Sequence, residues 1–110
     1  MKDEDAVNRF AALAHSTRLS VFKALIAEGP EGMPAGRLAT LLEVSPSNLS
    51  AHLAILSQAG LLTMRAEGRA RIYAVDLDQV GDLVNYLVAD CCKGHPEVCS
   101  PVMQAMGRRC

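Results

Sequence analysis

Val44-Ser45-Pro46-Ser47-Asn48-Leu49-Ser50-Ala51-His52-Leu53-Ala54-Ile55-Leu56 decides the reading of this chain. Ser45 followed by Pro46 is a helix N-cap with proline at the first helical position, where its missing N–H costs nothing. The spacing predicts a helix to about Gln58, stopped by Gly60. Leu49, Leu53 and Leu56 fall on one stripe. At 100° per residue, Ser47, Ala51, Ala54 and Gln58 lie opposite, with Asn48 and Ile55 beside them. That outward face is small and mostly polar, and it carries no Lys, Arg, Asp or Glu.

A β pattern follows directly. Leu62 to Ala66 and Arg69 to Val75 flank a turn at Glu67-Gly68. Upstream, Pro34 opens a helix over about Ala35 to Leu42, with Leu38, Leu41 and Leu42 expected to be buried. Val44-Ser45 is then the short turn between two helices. Further upstream, a helix over about Asp5 to Ala14 places Val7, Phe10, Ala11 and Ala14 at helical spacing. Another, over about Thr17 to Ala27, is capped by Ser16 and carries Leu19, Phe22 and Ile26 on one face. Downstream, Asp76 caps a last helix, with Gln79 three residues on as a capping box. Val80, Val84, Leu87 and Cys91 share its stripe. Four helices, a hairpin and a final helix make a mainly α chain with one β-hairpin, the layout of a winged helix-turn-helix. One domain is expected, with residues 1–90 forming the winged unit and residues 91–110 a cysteine-bearing C-terminal segment of it.

Composition narrows the function. The 110 residues are 50% hydrophobic and 4% aromatic, with a net charge of −1. The chain is no polybasic nucleic-acid binder, so any DNA contact must come from a local patch. No apolar run approaches the ~18 residues needed to span a membrane. The acidic start, Met1-Lys2-Asp3-Glu4-Asp5, lacks the layout of a signal peptide, and a cytoplasmic protein is expected. No catalytic acid–base constellation, cofactor loop or Cys-x-x-C motif is present in the sequence, which argues against an enzyme.

A helix face of small side chains can approach a major groove closely. Asn48 suits a base edge and Ala51 a thymine methyl. Ser45, Ser47, Ser50 and His52 suit phosphate oxygens, helped by the helix N-terminus. The alternative is an ordinary solvated face. Arg65, Arg69 and Arg71 shift the balance, because they gather positive charge around the hairpin turn against one Glu67. Such a hairpin suits phosphate or minor-groove contact. Arg69 and Arg71 are expected to share a strand face, and Arg18 is read as a solvated helix arginine, with a phosphate contact as the alternative.

The segment Val44 to Leu56, running into Ala59-Gly60-Leu61-Leu62, resembles the recognition segment of the ArsR/SmtB family. Ala12-Leu13-Ala14-His15-Ser16-Thr17-Arg18-Leu19 resembles the opening of that family's second helix, and Gly68-Arg69 with Ile72-Tyr73 its wing. Pro46 stands where many members have a polar residue, and Ala51 where histidine is frequent. The resemblance covers about residues 5 to 90. It implies a homodimeric repressor that holds operator DNA and leaves it when a metal or metalloid binds. It also implies that the last helix pairs with the first helix of a partner chain.

All four cysteines, Cys91, Cys92, Cys99 and Cys110, fall in the last twenty residues, which reads as a metal or redox site rather than a disulfide framework. The third helix, Arg37 to Glu43, lacks the Cys-x-Cys that many arsenic and cadmium sensors of the family carry there. The last helix has Asp78, Asp82 and Asp90 but no histidine before His95, against the zinc pattern. Cys91, Cys92 and Cys99 remain as a three-sulfur cluster, resembling that of some arsenic-responsive members. Gly94 and Pro96 are placed to fold Cys99 back. Soft thiolates select soft ions, and trivalent arsenic or antimony takes three sulfurs. Zinc prefers four ligands, which His95 or Cys110 would complete, so a zinc or cadmium site stays open. So does a thiol-redox switch. Cys110 is read as a tail thiol outside the cluster.

Overall fold

The computed structural model describes residues 1–88 together with 101, 104 and 105. The elements run α1 (Asp3–Leu13), α2 (Ser16–Glu28), β1 (Met33–Pro34), α3 (Ala35–Leu42), α4 (Pro46–Gln58), β2 (Leu62–Glu67), β3 (Ala70–Val75) and α5 (Leu77–Val88). This is the expected winged helix-turn-helix with one addition. β1 pairs antiparallel with β3, Met33 opposite Tyr73, so the sheet has three strands in the order β1-β3-β2. Gly32 makes that strand possible. Its φ is +76°, and a Cβ there would run into the Tyr73 carbonyl oxygen. Pro34 takes an edge position, where its missing N–H is harmless.

The helix-turn-helix is fixed by local chemistry. Glu43 closes α3 in the left-handed region at φ 54°. Ser45 Oγ accepts from the Asn48 N–H at 3.2 Å and starts α4. At the far end Gly60 has φ +85°. Its N–H donates to Ser57 O and that of Leu61 to Leu56 O, both at 3.0 Å, which is a Schellman stop. The wing turn sits one residue later than expected. Glu67 opposes Ala70, Gly68 takes φ +61° and Arg69 occupies the turn itself. Arg69 therefore does not share a strand face with Arg71. Asp76 caps α5, its Oδ1 accepting from the Gln79 N–H at 3.2 Å, but the expected capping box is not closed, because the Asp76 N–H donates to Leu61 O at 2.9 Å.

The core gathers Val21 and Leu25 of α2, Leu38 and Ala39 of α3, Leu49, Leu53 and Leu56 of α4, Leu61 and Val75 around the sheet, and Leu83 of α5. Two helix faces differ from expectation. α1 buries Ala6 and Ala12, while Val7 is 63% and Phe10 40% exposed. α2 buries Val21 and Leu25 and leaves Leu19 and Ile26 exposed. In α3, Leu41 is 59% exposed where burial was expected. The cap of α2 is His15 rather than Ser16, its Nδ1 accepting from the Thr17 N–H at 3.1 Å. Small alanines let α1 come close to its neighbours, and the larger apolar side chains of α1 are turned outward.

Together with α5 they form an apolar face. Phe10, Leu13, Phe22, Leu61, Val80, Leu83, Val84 and Leu87 line a groove of about 170 Å³. Val84 is 37% and Leu87 64% exposed along it.

Candidate nucleic-acid interface

α4 presents the outward face read from the sequence. Ser47, Asn48, Ser50, Ala51, Ala54 and Gln58 are all exposed, opposite the buried Leu49, Leu53 and Leu56. Ser45 is exposed too, but its Oγ is committed to the cap. Pro46 has no N–H, and Leu49 N–H bonds Ser45 O. Among the described residues, the open backbone donor of the first turn is thus Ser47 N–H, aimed as an anion site requires.

His52 departs from expectation. It is 9% exposed and falls with Leu49, Leu53 and Leu56 on the buried side of α4. In this placement it does not present its imidazole to a phosphate. Its Nδ1 lies 3.3 Å from Arg18 Nη1, and its ring centroid is 4.6 Å from that of His15. An arginine can only donate, so His52 Nδ1 is the acceptor and the neutral ring carries its proton on Nε2. Burial first, then the charges of His15 and Arg18, hold its pKa below the usual histidine value. Arg18 is correspondingly not a solvated arginine. It is partly buried, and its Nε also donates to Ala12 O at 2.6 Å.

The three wing arginines are exposed but do not act as one group. Arg65 opposes Ile72 in the ladder and so shares that sheet face, where its Nε bonds Glu67 at 2.7 Å. Arg71 opposes Ala66 and points to the other side with Tyr73. There Arg71, Tyr73, Ser50, Pro46 and Gly36 line a cleft of about 110 Å³ between wing and recognition helix. Arg69 and Arg71 also flank Pro34, Ala35 and Gly36 at the start of α3. The structure thus brings Ser50 and Arg71 together, sets Arg69 at the wing tip, and partly neutralises Arg65.

One further basic residue was not singled out by sequence. Arg9 Nε donates to Ala59 O at 3.0 Å and caps the C-terminal end of α4 from α1. Nothing local in the sequence marks this contact, since the two residues are fifty apart. His52 was findable, because positions 49, 52, 53 and 56 are the i, i+3, i+4, i+7 pattern of a buried face. Cys91, Cys92, Cys99, Cys110 and His95 lie outside the described residues. Among the described residues no cluster of three or more His, Cys, Asp or Glu is arranged to hold a metal ion. No helix there is long and apolar enough to cross a membrane.

Fold and site together define a winged helix-turn-helix protein with a groove-sized, uncharged reading face. A model of the helix-turn-helix domain matches residues 13–65. No curated protein matches the sequence. Among solved structures, reduced HlyU from Vibrio cholerae N16961 is 30% identical, over 82% of this chain and 92% of that one, with TM-score 0.64. The transcriptional regulator HlyU from Vibrio vulnificus CMCP6 is 31% identical, over 79% and 88%, with TM-score 0.60. The homodimeric winged helix-turn-helix DNA-binding domain of Mb0332 from Mycobacterium bovis shares the fold at 24% identity, over 86% and 94%, with TM-score 0.63. The chain belongs to the helix-turn-helix transcriptional regulators that include HlyU.

Proposed function

We propose that this chain is a homodimeric repressor that reads operator DNA with α4 and the wing, and lets go when trivalent arsenic or antimony binds Cys91, Cys92 and Cys99. The observation that carries the DNA half is the exposed face of Ser47, Asn48, Ser50 and Ala51. No charged residue lies in α4, and Arg71 stands across a narrow cleft. Asn48 reads a base edge and Ala51 a thymine methyl, while Ser47, Ser50, Arg69 and Arg71 take phosphates.

Dimerisation is supported by the apolar face of α1 and α5, and the Mb0332 domain of this fold is homodimeric. Two α4 helices related by a two-fold axis would meet half-sites about one helical turn apart.

The sensing half rests on the donor set. Three thiols within nine residues suit a three-coordinate thiophilic ion, which exchanges its hydroxyl groups for thiolates and releases water. A coupling of ~1–3 kcal/mol between the cysteines and the operator would weaken binding about 5- to 150-fold. A thiol-redox reading is the second candidate, favoured by the same adjacent cysteines and by a relative described in a reduced form.

A gel-shift panel on the DNA upstream of the chain's own gene tests this. Arsenite, antimonite, zinc, cadmium and peroxide are compared in thiol-free buffer on pre-reduced protein. Release by arsenite and antimonite at the lowest concentrations supports the proposal. Release by peroxide with indifference to arsenite favours the redox reading.

A further inference from the structure

Besides its leucines, α4 is held to α1 and α2 by two polar contacts, Arg9 on Ala59 O and Arg18 on His52. Arg18 of α2 reaches both ways from one guanidinium. Its Nε donates to Ala12 O near the C-terminal end of α1, and its Nη1 donates to His52 Nδ1 on α4. Ala12 O is among the last carbonyls of α1, which lack intrahelical partners and favour a cation. His52 sits between Ala51 and Leu53, so its ring sets the rotation that presents Ala51 and Asn48 outward.

The contact tolerates only a neutral imidazole. Arg18 is always protonated, so a proton on His52 Nδ1 removes the acceptor and sets two cations 3.3 Å apart. His15 Nδ1 accepts from the Thr17 N–H at 3.1 Å, which holds that ring beside His52. Among the described residues, the titratable and charged groups acting on His52 are His15, from the turn between α1 and α2, and Arg18 on α2. The other elements packed on α4, namely α1, α3 and β2, add none. Among the described residues, no carboxylate acts on His52 to offset a second positive charge.

We propose that Arg18 is a positioning residue for DNA recognition, acting through neutral His52, and that the operator grip loosens when His52 takes up a proton. This rests on the reading of α4 as the DNA-reading helix. It assigns Arg18 a role that needs no contact with DNA.

The test uses the full chain and duplex DNA from upstream of its gene. Histidine ring resonances are titrated by NMR in wild type and in Arg18→Met, which keeps length and loses charge and donors. Operator affinity is measured from pH 5 to 8 at several salt concentrations. Arg18→Met should move the His52 titration upward and lower affinity on the order of ten-fold above it. The slope of log affinity against log salt should stay unchanged, because no phosphate contact is lost. His52→Gln keeps an acceptor and does not titrate, so it should abolish the acid-side fall in affinity even if Arg18→Met proves too unstable to study. A slope shallower by about 0.9 in Arg18→Met would overturn the proposal in favour of a direct phosphate contact. So would a His52 titration indifferent to Arg18, or an acid-side fall that persists in His52→Gln. A failure of the DNA-reading itself looks different: wild type would then bind no duplex at any pH while the Arg18-dependent shift of His52 stays intact.

Discussion

Replacing Leu87 by Asp tests the proposed dimer at its most exposed apolar point. Leu87 is 64% exposed on α5, at the edge of the groove lined by Phe10, Val80 and Val84. Complete burial of a leucine side chain is worth about 1.5–3 kcal/mol. Only the exposed share remains to be gained on association, so Leu87 contributes about 1–2 kcal/mol per protomer. A two-fold interface counts it twice, giving about 2–4 kcal/mol, or a dimer dissociation constant weaker by ~30- to ~1,000-fold. The cost of placing a carboxylate there adds to this. The monomer fold should be largely spared, because the side chain already meets solvent. Leu41→Asp is the control: that leucine is 59% exposed on α3, outside the groove, and should leave association unchanged. Sedimentation equilibrium of the three proteins reads the constants directly. An unchanged constant for Leu87→Asp, or an equal effect from Leu41→Asp, would refute the placement of the interface.

Other outcomes follow from the same contacts. Arg71→Ala should weaken operator binding on all sequences alike and reduce the salt slope by about 0.9, whereas Arg65→Ala should do less, because Glu67 already partners that guanidinium. Gly32→Ala forces a positive φ onto an L side chain and drives its Cβ into the Tyr73 carbonyl. A loss of at least ~1–3 kcal/mol is expected, read as a lower midpoint in urea. Thermal stability should also fall on the acid side. The folded chain holds the His52 pKa below its ordinary value of about 6.5, so the unfolded chain binds that proton first. His52's contribution is therefore complete above about pH 6.5 and lost progressively as pH falls from there through the lowered folded value, a loss that His52→Gln should remove.

What could be read in the sequence was whatever is decided locally. Ser45-Pro46, Gly60, Gly68 and Asp76 each settle an element boundary within a few residues, and α3 and α4 lie where they were expected. Charge around the wing was also legible, though not its division between two sheet faces, which depends on a one-residue shift of the turn to Gly68-Arg69.

Faces were harder. Periodicity in α1 marked Val7 and Phe10 as a stripe needing cover, but it does not say which chain covers it, and within this chain Ala6 and Ala12 take the inner positions. β1 has only two residues, too few for any pattern, and is revealed by Gly32 alone. Arg9, Arg18 and His52 are not legible as internal contacts, because a polar side chain read from sequence goes to solvent, as Arg18 does, or to a phosphate, as His52 does. Their partners, Ala59 O and each other, come from distant segments. The candidate site was thus visible as a set of outward residues on α4, while the contacts that hold that helix in place were not.

The proposed control of the grip of α4 on DNA lies with the thiols at positions 91, 92 and 99. It is tested most directly by fluorescence anisotropy of a labelled operator duplex, titrated with arsenite under reducing conditions. Wild type and the single variants C91S, C92S, C99S and C110S are compared. Wild type and C110S should release DNA alike, at one arsenic per three-cysteine site. Each of the other three variants should bind operator normally and stay bound as arsenite is added. Normal arsenite release from C99S would contradict the account.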